Sequence, residues 1–157
     1  MKLCIVAVGR ARNAPEDAQT DDYLQRARAL GTKLGFTAIE SAVIETSRAA
    51  NAEQRKAQEA ARIATKIPKG AAVIALDETG KAAASEPFAK LLTNRRDQGQ
   101  DIAFVIGGPD GLDSRFRVGE TLSFGPQTWP HMLVRVMLAE QIYRAMTIIA
   151  GHPYHRR

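Results

Sequence analysis

Three short apolar runs set the limits on what this chain can fold into. Residues 2–8 (KLCIVAV), 71–76 (AAVIAL) and 102–106 (IAFVI) carry almost no polar side chains, and none alternates apolar with polar. A strand with one wet face alternates, whereas a strand covered on both faces does not. Residues 37–44 (TAIESAVI) read as a further strand. Helical segments lie between these runs. In 16–34, Tyr23, Leu24, Ala27, Leu30 and Leu34 recur at three- and four-residue spacing until Gly35. The alanine-rich stretch 51–66 ends before Pro68 and Gly70, and Ser85 is placed to cap a helix over 85–97. A short helix near 113–119, a short strand near 120–124 and a long helix over 130–150 complete the pattern. Residues 10–15, with Pro15, and 77–84, around Gly80, read as loops. Strands alternating with helices imply an α/β fold, a mostly parallel sheet with helices on both faces. With no repeat, linker or low-complexity stretch, residues 1–157 read as a single domain.

Charge and cysteine usage narrow the function. Twenty-two Lys and Arg against 17 Asp and Glu leave a formal charge of +5, which suits an anionic partner without requiring one. The one cysteine, Cys4, lies in an apolar run and reads as a small core residue. No Cys/His cluster has metal-ligand spacing, so no metal is expected. The N-terminal apolar run is too short for a signal peptide, and His131, Arg135, Glu140, Gln141 and Arg144 interrupt the long C-terminal helix. A cytoplasmic protein with no membrane role is therefore expected.

Three glycine-bearing loops follow strands. Ligands of open α/β sheets bind beyond the carboxyl ends of the strands, where glycine lets the backbone come close. Residues 107–111 (GGPDG) follow the fourth strand and read equally as a tight turn or a ligand loop. The loop matches neither GxGxxG nor GxxxxGK[ST], so a dinucleotide or P-loop site is not indicated. Residues 76–81 (LDETGK) offer Asp77 and Glu78 as an acid or base, or as solvated loop carboxylates. In 124–129 (FGPQTW), Thr128 is placed to cap the helix near Pro130, and Trp129 reads as core by default or as the cover of a flat ligand. Together the three loops could enclose one small molecule.

The helix over 130–150 is apolar on nearly all sides, and a domain of this length has little room to wrap it. A homodimer interface is expected. His131 and Arg135 share a face of this helix, and Glu140 and Arg144 have ion-pair spacing. The tail, GHPYHRR, mixes a stackable ring with cations, a combination that grips an unpaired base and its phosphates. With few apolar residues, it is expected to serve RNA and not stability.

Taken in order, MKLCIVAVG, LDETGK at 76–81, FVIGGPDGL at 104–112, TWPHMLVRVMLAEQIYRA at 128–145 and HPYHR at 152–156 closely resemble one family. It is the large-subunit ribosomal RNA pseudouridine N3-methyltransferase family of the SPOUT class. The resemblance spans the chain and is weakest over 10–70. It implies a C-terminal trefoil knot, a homodimer, S-adenosylmethionine as methyl donor, and a target pseudouridine at position 1915 in helix 69 of 23S RNA on assembled ribosomes. It assigns donor binding to Leu76, Gly107, Phe124, Gly125, Pro126, Gln127, Thr128 and Trp129. It places His152, Tyr154, His155 and Arg156 beside the base. A bulky side chain at Gly107 is then expected to block the donor while the fold survives.

The target N3 must lose its proton, so a base in reach would help. His131 and His155 are the candidate bases, and Arg135 and Arg156 the candidate stabilisers of negative charge on the target. Two other readings stay open: a non-catalytic RNA- or ribosome-binding factor, and a methyltransferase of the same fold acting on a small molecule. Saturable donor binding would exclude the first. Activity on ribosomes but not on free nucleosides would exclude the second.

Overall fold

The computed structural model describes residues 1–9 and 14–156. Most of the loop expected at 10–15 falls outside these residues, as does Arg157. The strands are β1 (Lys2–Val8), β2 (Ala38–Ile44), β3 (Ala72–Ala82), β4 (Ile102–Ile106) and β5 (Glu120–Ser123). The helices are α1 (Pro15–Gly31), α2 (Ala52–Ala64), α3 (Ser85–Asp97) and α4 (His131–Ile149). The strands form one five-stranded sheet in the order β2-β1-β4-β3-β5, and every pairing is parallel.

The lack of alternation in the strand runs has its cause in two cores. Leu3, Ile5, Ala7, Ile74, Ile102, Phe104 and Ile106 face α1, α3 and α4. Val6, Val8, Ala75 and Val105 face the other way, onto Ile63 of α2 and Leu112. Pro15, expected in a loop, opens α1 at its first helical position, where its missing N–H costs nothing. Residues 32–34 tighten into a 3-10 turn closed by Gly35 at φ 86°.

Three expectations need correction. β3 does not stop at Leu76. The chain bends where the Asp77 carboxylate accepts the Thr79 N–H at 2.9 Å and the Thr79 hydroxyl at 2.6 Å, and it then pairs again with β5. Leu122 thus faces both Leu76 and Lys81. At Gly80 a Cβ would lie 2.9 Å from the Leu122 carbonyl carbon, so only glycine lets this segment close over β5. Ser85 is no cap: Ala84 holds that position, and the Ser85 hydroxyl donates to Gln141 of α4 at 2.9 Å. Finally, α4 finds its cover within the chain. It lies on the sheet against α1 and α3, burying Val136, Leu138, Ala139, Ile142 and Met146. Its all-round apolarity therefore does not by itself demand a second subunit.

Candidate active site

Beside the bend in β3 and beyond the carboxyl ends of β4 and β5 lies an open cavity of about 610 Å³. Its walls are that bend, the turn after β4, the loop after β5 and the start of α4. Leu76, Gly107, Phe124, Gly125, Gln127, Thr128 and Trp129 all line it; Pro126, expected with them, does not. Trp129 corrects its assignment to the core, for it is 38% exposed and forms part of the wall.

The walls are tied together by charge. Arg55 of α2 clamps Asp110 through two hydrogen bonds, at 2.7 and 2.9 Å, and so fixes the GGPDG turn. The hydrogen bond from Arg55 holds the Asp110 carboxyl below its usual range. Asp77 forms an ion pair with Arg117 at 2.8 Å, and its side chain is only 5% exposed. The hydrogen bond from Thr79 holds its carboxyl low, helped by Arg117, which keeps Asp77 a carboxylate and no proton donor. Thr128 does not cap α4. Its hydroxyl donates to Glu78 at 2.6 Å, and Pro130 stands at the cap.

Gly107 also behaves unlike its expectation. A Cβ there would lie 2.6 Å from the Gly111 carbonyl carbon and 2.8 Å from the Leu112 nitrogen. The glycine is required by the turn's own backbone, so Gly107→Val would open the loop before it tested any ligand.

His131 completes the cavity wall at the first residue of α4. Its ring packs on Gly9, where a Cβ would stand 3.0 Å from Nε2. Burial lowers its pKa below 6.5, the neighbouring Arg135 lowers it further, and Glu59 opposes them. At neutral pH the imidazole offers a lone pair. Arg135 itself lies outside the cavity wall. It is 3% exposed and paired with Asp17 of α1, and its Nε has no partner. The expected stabiliser of charge at the target therefore does not line the cavity; its positive charge helps lower the His131 pKa.

The tail sits elsewhere. The Tyr154 ring lies 4.7 Å from that of Tyr143, with the Arg144 guanidinium 4.9 Å from its centre. Its hydroxyl donates to Glu140 Oε1 at 3.1 Å, and burial pushes its pKa up to about 12. Glu140 also receives Arg144 at 2.6 Å, as the spacing implied. Arg144 donates to His155 Nδ1 at 3.3 Å, and Arg156 is exposed. Glu140 stands nine residues along α4 from His131, about 14 Å at helical rise. His131 lines the cavity, whereas neither His155 nor Arg156 does.

Tyr154 also corrects the view that the tail carries no stability. Deleting 152–157 removes an aromatic pair and a hydrogen bond to a carboxylate, together about 2 kcal/mol. Thermal unfolding should show a loss of about 4–8 °C for a chain of this size. An unchanged midpoint would mean that the Tyr143–Tyr154 contact does not hold in solution.

A family model described as "Predicted SPOUT methyltransferase" matches residues 1–155. The chain belongs to the SPOUT methyltransferase family. It is similar to the protein named Ribosomal RNA large subunit methyltransferase H of Paracoccus denitrificans, at 50% identity over 158 residues and 99% of each chain. The protein of the same name from Hyphomonas neptunium is 50% identical over 159 residues, again 99% of each. The crystal structure of a probable methyltransferase from Bordetella pertussis Tohama I shares the fold, with a TM-score of 0.52 and 13% identity over 92% of this chain and 93% of that one. In this SPOUT chain the residues that sequence reasoning missed are Arg117 and Ser123, together with the pairing of Glu78 with Thr128. A lone Arg and a lone Ser carry no periodic signal, and the partners in all three contacts are distant in sequence.

Among the described residues, no group of three or more His, Cys, Asp or Glu is arranged to hold a metal ion, and no helix is long and apolar enough to cross a membrane.

Proposed function

We propose that this chain methylates N3 of a pseudouridine in large-subunit ribosomal RNA, with S-adenosylmethionine as donor. The proposed target is position 1915 in helix 69 of 23S RNA on assembled ribosomes. The observation that carries the reading is the cavity. It gathers seven of the eight residues expected to bind the donor, and His131 stands on its rim. The cavity suits the donor chemically. Leu76, Ile106, Leu122, Phe124 and Trp129 offer an apolar wall to a purine, and glycine-bearing turns bring backbone close to its polar groups. Two relatives spanning 99% of the chain are named as ribosomal RNA large subunit methyltransferases.

When bound, S-adenosylmethionine supplies a methyl group already activated on sulfonium. The chain must hold the target N3 in line with that carbon and exclude water. His131, neutral at pH 7, accepts the N3 proton as the N–C bond forms. Arg156 balances the negative charge that develops on the base.

This assignment of roles needs a second subunit. The tail packs on Glu140, Tyr143 and Arg144 and supplies no residue to the cavity wall of its own chain, so His155 and Arg156 are proposed to serve the partner's cavity. Trp129 and Leu133, 38% and 36% exposed beside the cavity, supply apolar surface for a homodimer contact. The trefoil knot of the C-terminal part is proposed on the family resemblance.

Mass spectrometry of 23S RNA from cells with and without the gene tests the reaction. A methylated pseudouridine in helix 69 that vanishes with the gene and returns with it is the expected result. An unaltered methylation pattern would overturn the reading.

A further inference from the structure

The loop after β5 is pinned at both ends to one residue of β3. Its beginning is held by Ser123, which is 6% exposed. The Ser123 hydroxyl accepts the Gly125 N–H at 3.0 Å and lies 2.9 Å from the Gly125 carbonyl and 3.1 Å from the Glu78 carbonyl. Its end is held by the Glu78 side chain, which receives the Thr128 hydroxyl at 2.6 Å. Between them Gly125 sits at φ 112°, outside the range that other residues adopt readily.

These facts separate a chance contact from an anchor. A buried hydroxyl that satisfies its own loop and a neighbouring strand together leaves unpaired groups on both if it is removed. The Glu78–Thr128 bond is solvent-exposed, so water can replace it at small cost. The two anchors are therefore unequal, and the buried one dominates. Thr128 could have capped α4, yet its hydroxyl is turned toward β3. Both contacts draw the loop against the bend in β3, where Leu76 and Glu78 also line the cavity.

We propose that Ser123 is a positioning residue for the methyl donor: its hydroxyl holds the Phe124–Thr128 loop in the shape that closes the donor cavity. The inference rests on the donor-site reading above. Ser123 touches no reacting atom, so its loss should appear in donor affinity and not in the chemical step.

The test compares Ser123→Ala, Ser123→Thr and Thr128→Val by calorimetry with S-adenosylmethionine and by steady-state methylation. For Ser123→Ala, donor Kd and KM should rise about tenfold, the worth of one buried hydrogen bond with its unpaired partner, while kcat at saturating donor is kept. Ser123→Thr retains the hydroxyl and should restore affinity, and Thr128→Val should have the smaller effect. Amide exchange at Gly125 should quicken in Ser123→Ala with or without donor. Unchanged donor affinity in a folded Ser123→Ala protein overturns the proposal, as does a loss confined to kcat. Wild-type protein that binds no S-adenosylmethionine defeats the donor-site reading, and this inference with it. Faster Gly125 exchange in the variant would then still mark Ser123 as a loop anchor.

Discussion

Replacing His131 by alanine is expected to lower RNA methylation by about 10²- to 10⁴-fold, the usual worth of a positioned base, while donor binding survives. The expectation rests on three properties of the residue. It stands on the cavity wall at the first position of α4. Its ring is held against Gly9. Burial and the nearby Arg135 keep it unprotonated at neutral pH. The pH profile follows from the direction of the shift. The neutral form accepts the proton, so activity persists at pH 6.5 and falls as pH drops through the lowered pKa. Stability moves the same way. The unfolded chain takes up a proton near pH 6.5, whereas the folded chain resists until lower pH, so the contribution of His131 is present above 6.5 and lost in that window as pH falls. A rate unchanged in a folded His131→Ala protein would remove it as the base and leave His155 as the other histidine candidate.

The parts of this molecule that were legible in the sequence share a physical cause. Strands covered on both faces must be apolar throughout, and turns at their ends use glycine, so most of the sheet and the loops after β4 and β5 were visible. What was hidden depends on distant partners. Asp77 to Ala82 is polar and shows no periodicity, yet it extends β3 because β5 comes back alongside it. Thr128 has the chemistry of a helix cap, but Glu78, fifty residues earlier, takes its hydroxyl. Tyr154 looked free to stack a base, but Tyr143 and Arg144 already flank its ring. Gly107 reads in the sequence as a ligand contact whose enlargement spares the fold. The group it must avoid is the backbone of Gly111 and Leu112, not a ligand.

Mixed dimers are expected to recover activity that neither variant shows alone. One subunit would carry His155→Ala and Arg156→Ala, which keep the Tyr154 contacts and so spare the fold. The other would carry Gly125→Val, which forbids the φ of 112° that the donor loop needs. Each homodimer should be inactive on ribosomes. In the mixed dimer, the first subunit's intact donor loop meets the second subunit's intact tail, so half of the sites should work. The opposite pairing joins a broken loop to a broken tail and stays silent. This outcome requires a dimer, and sedimentation at micromolar concentration should show one. If each chain used its own tail, no site in the mixture would hold both intact parts, and activity would stay at the level of the two homodimers. The geometry favours exchange between chains. Arg156 is exposed, the tail is held on Glu140, Tyr143 and Arg144 of α4, and none of its residues joins His131 in the cavity wall of the same chain.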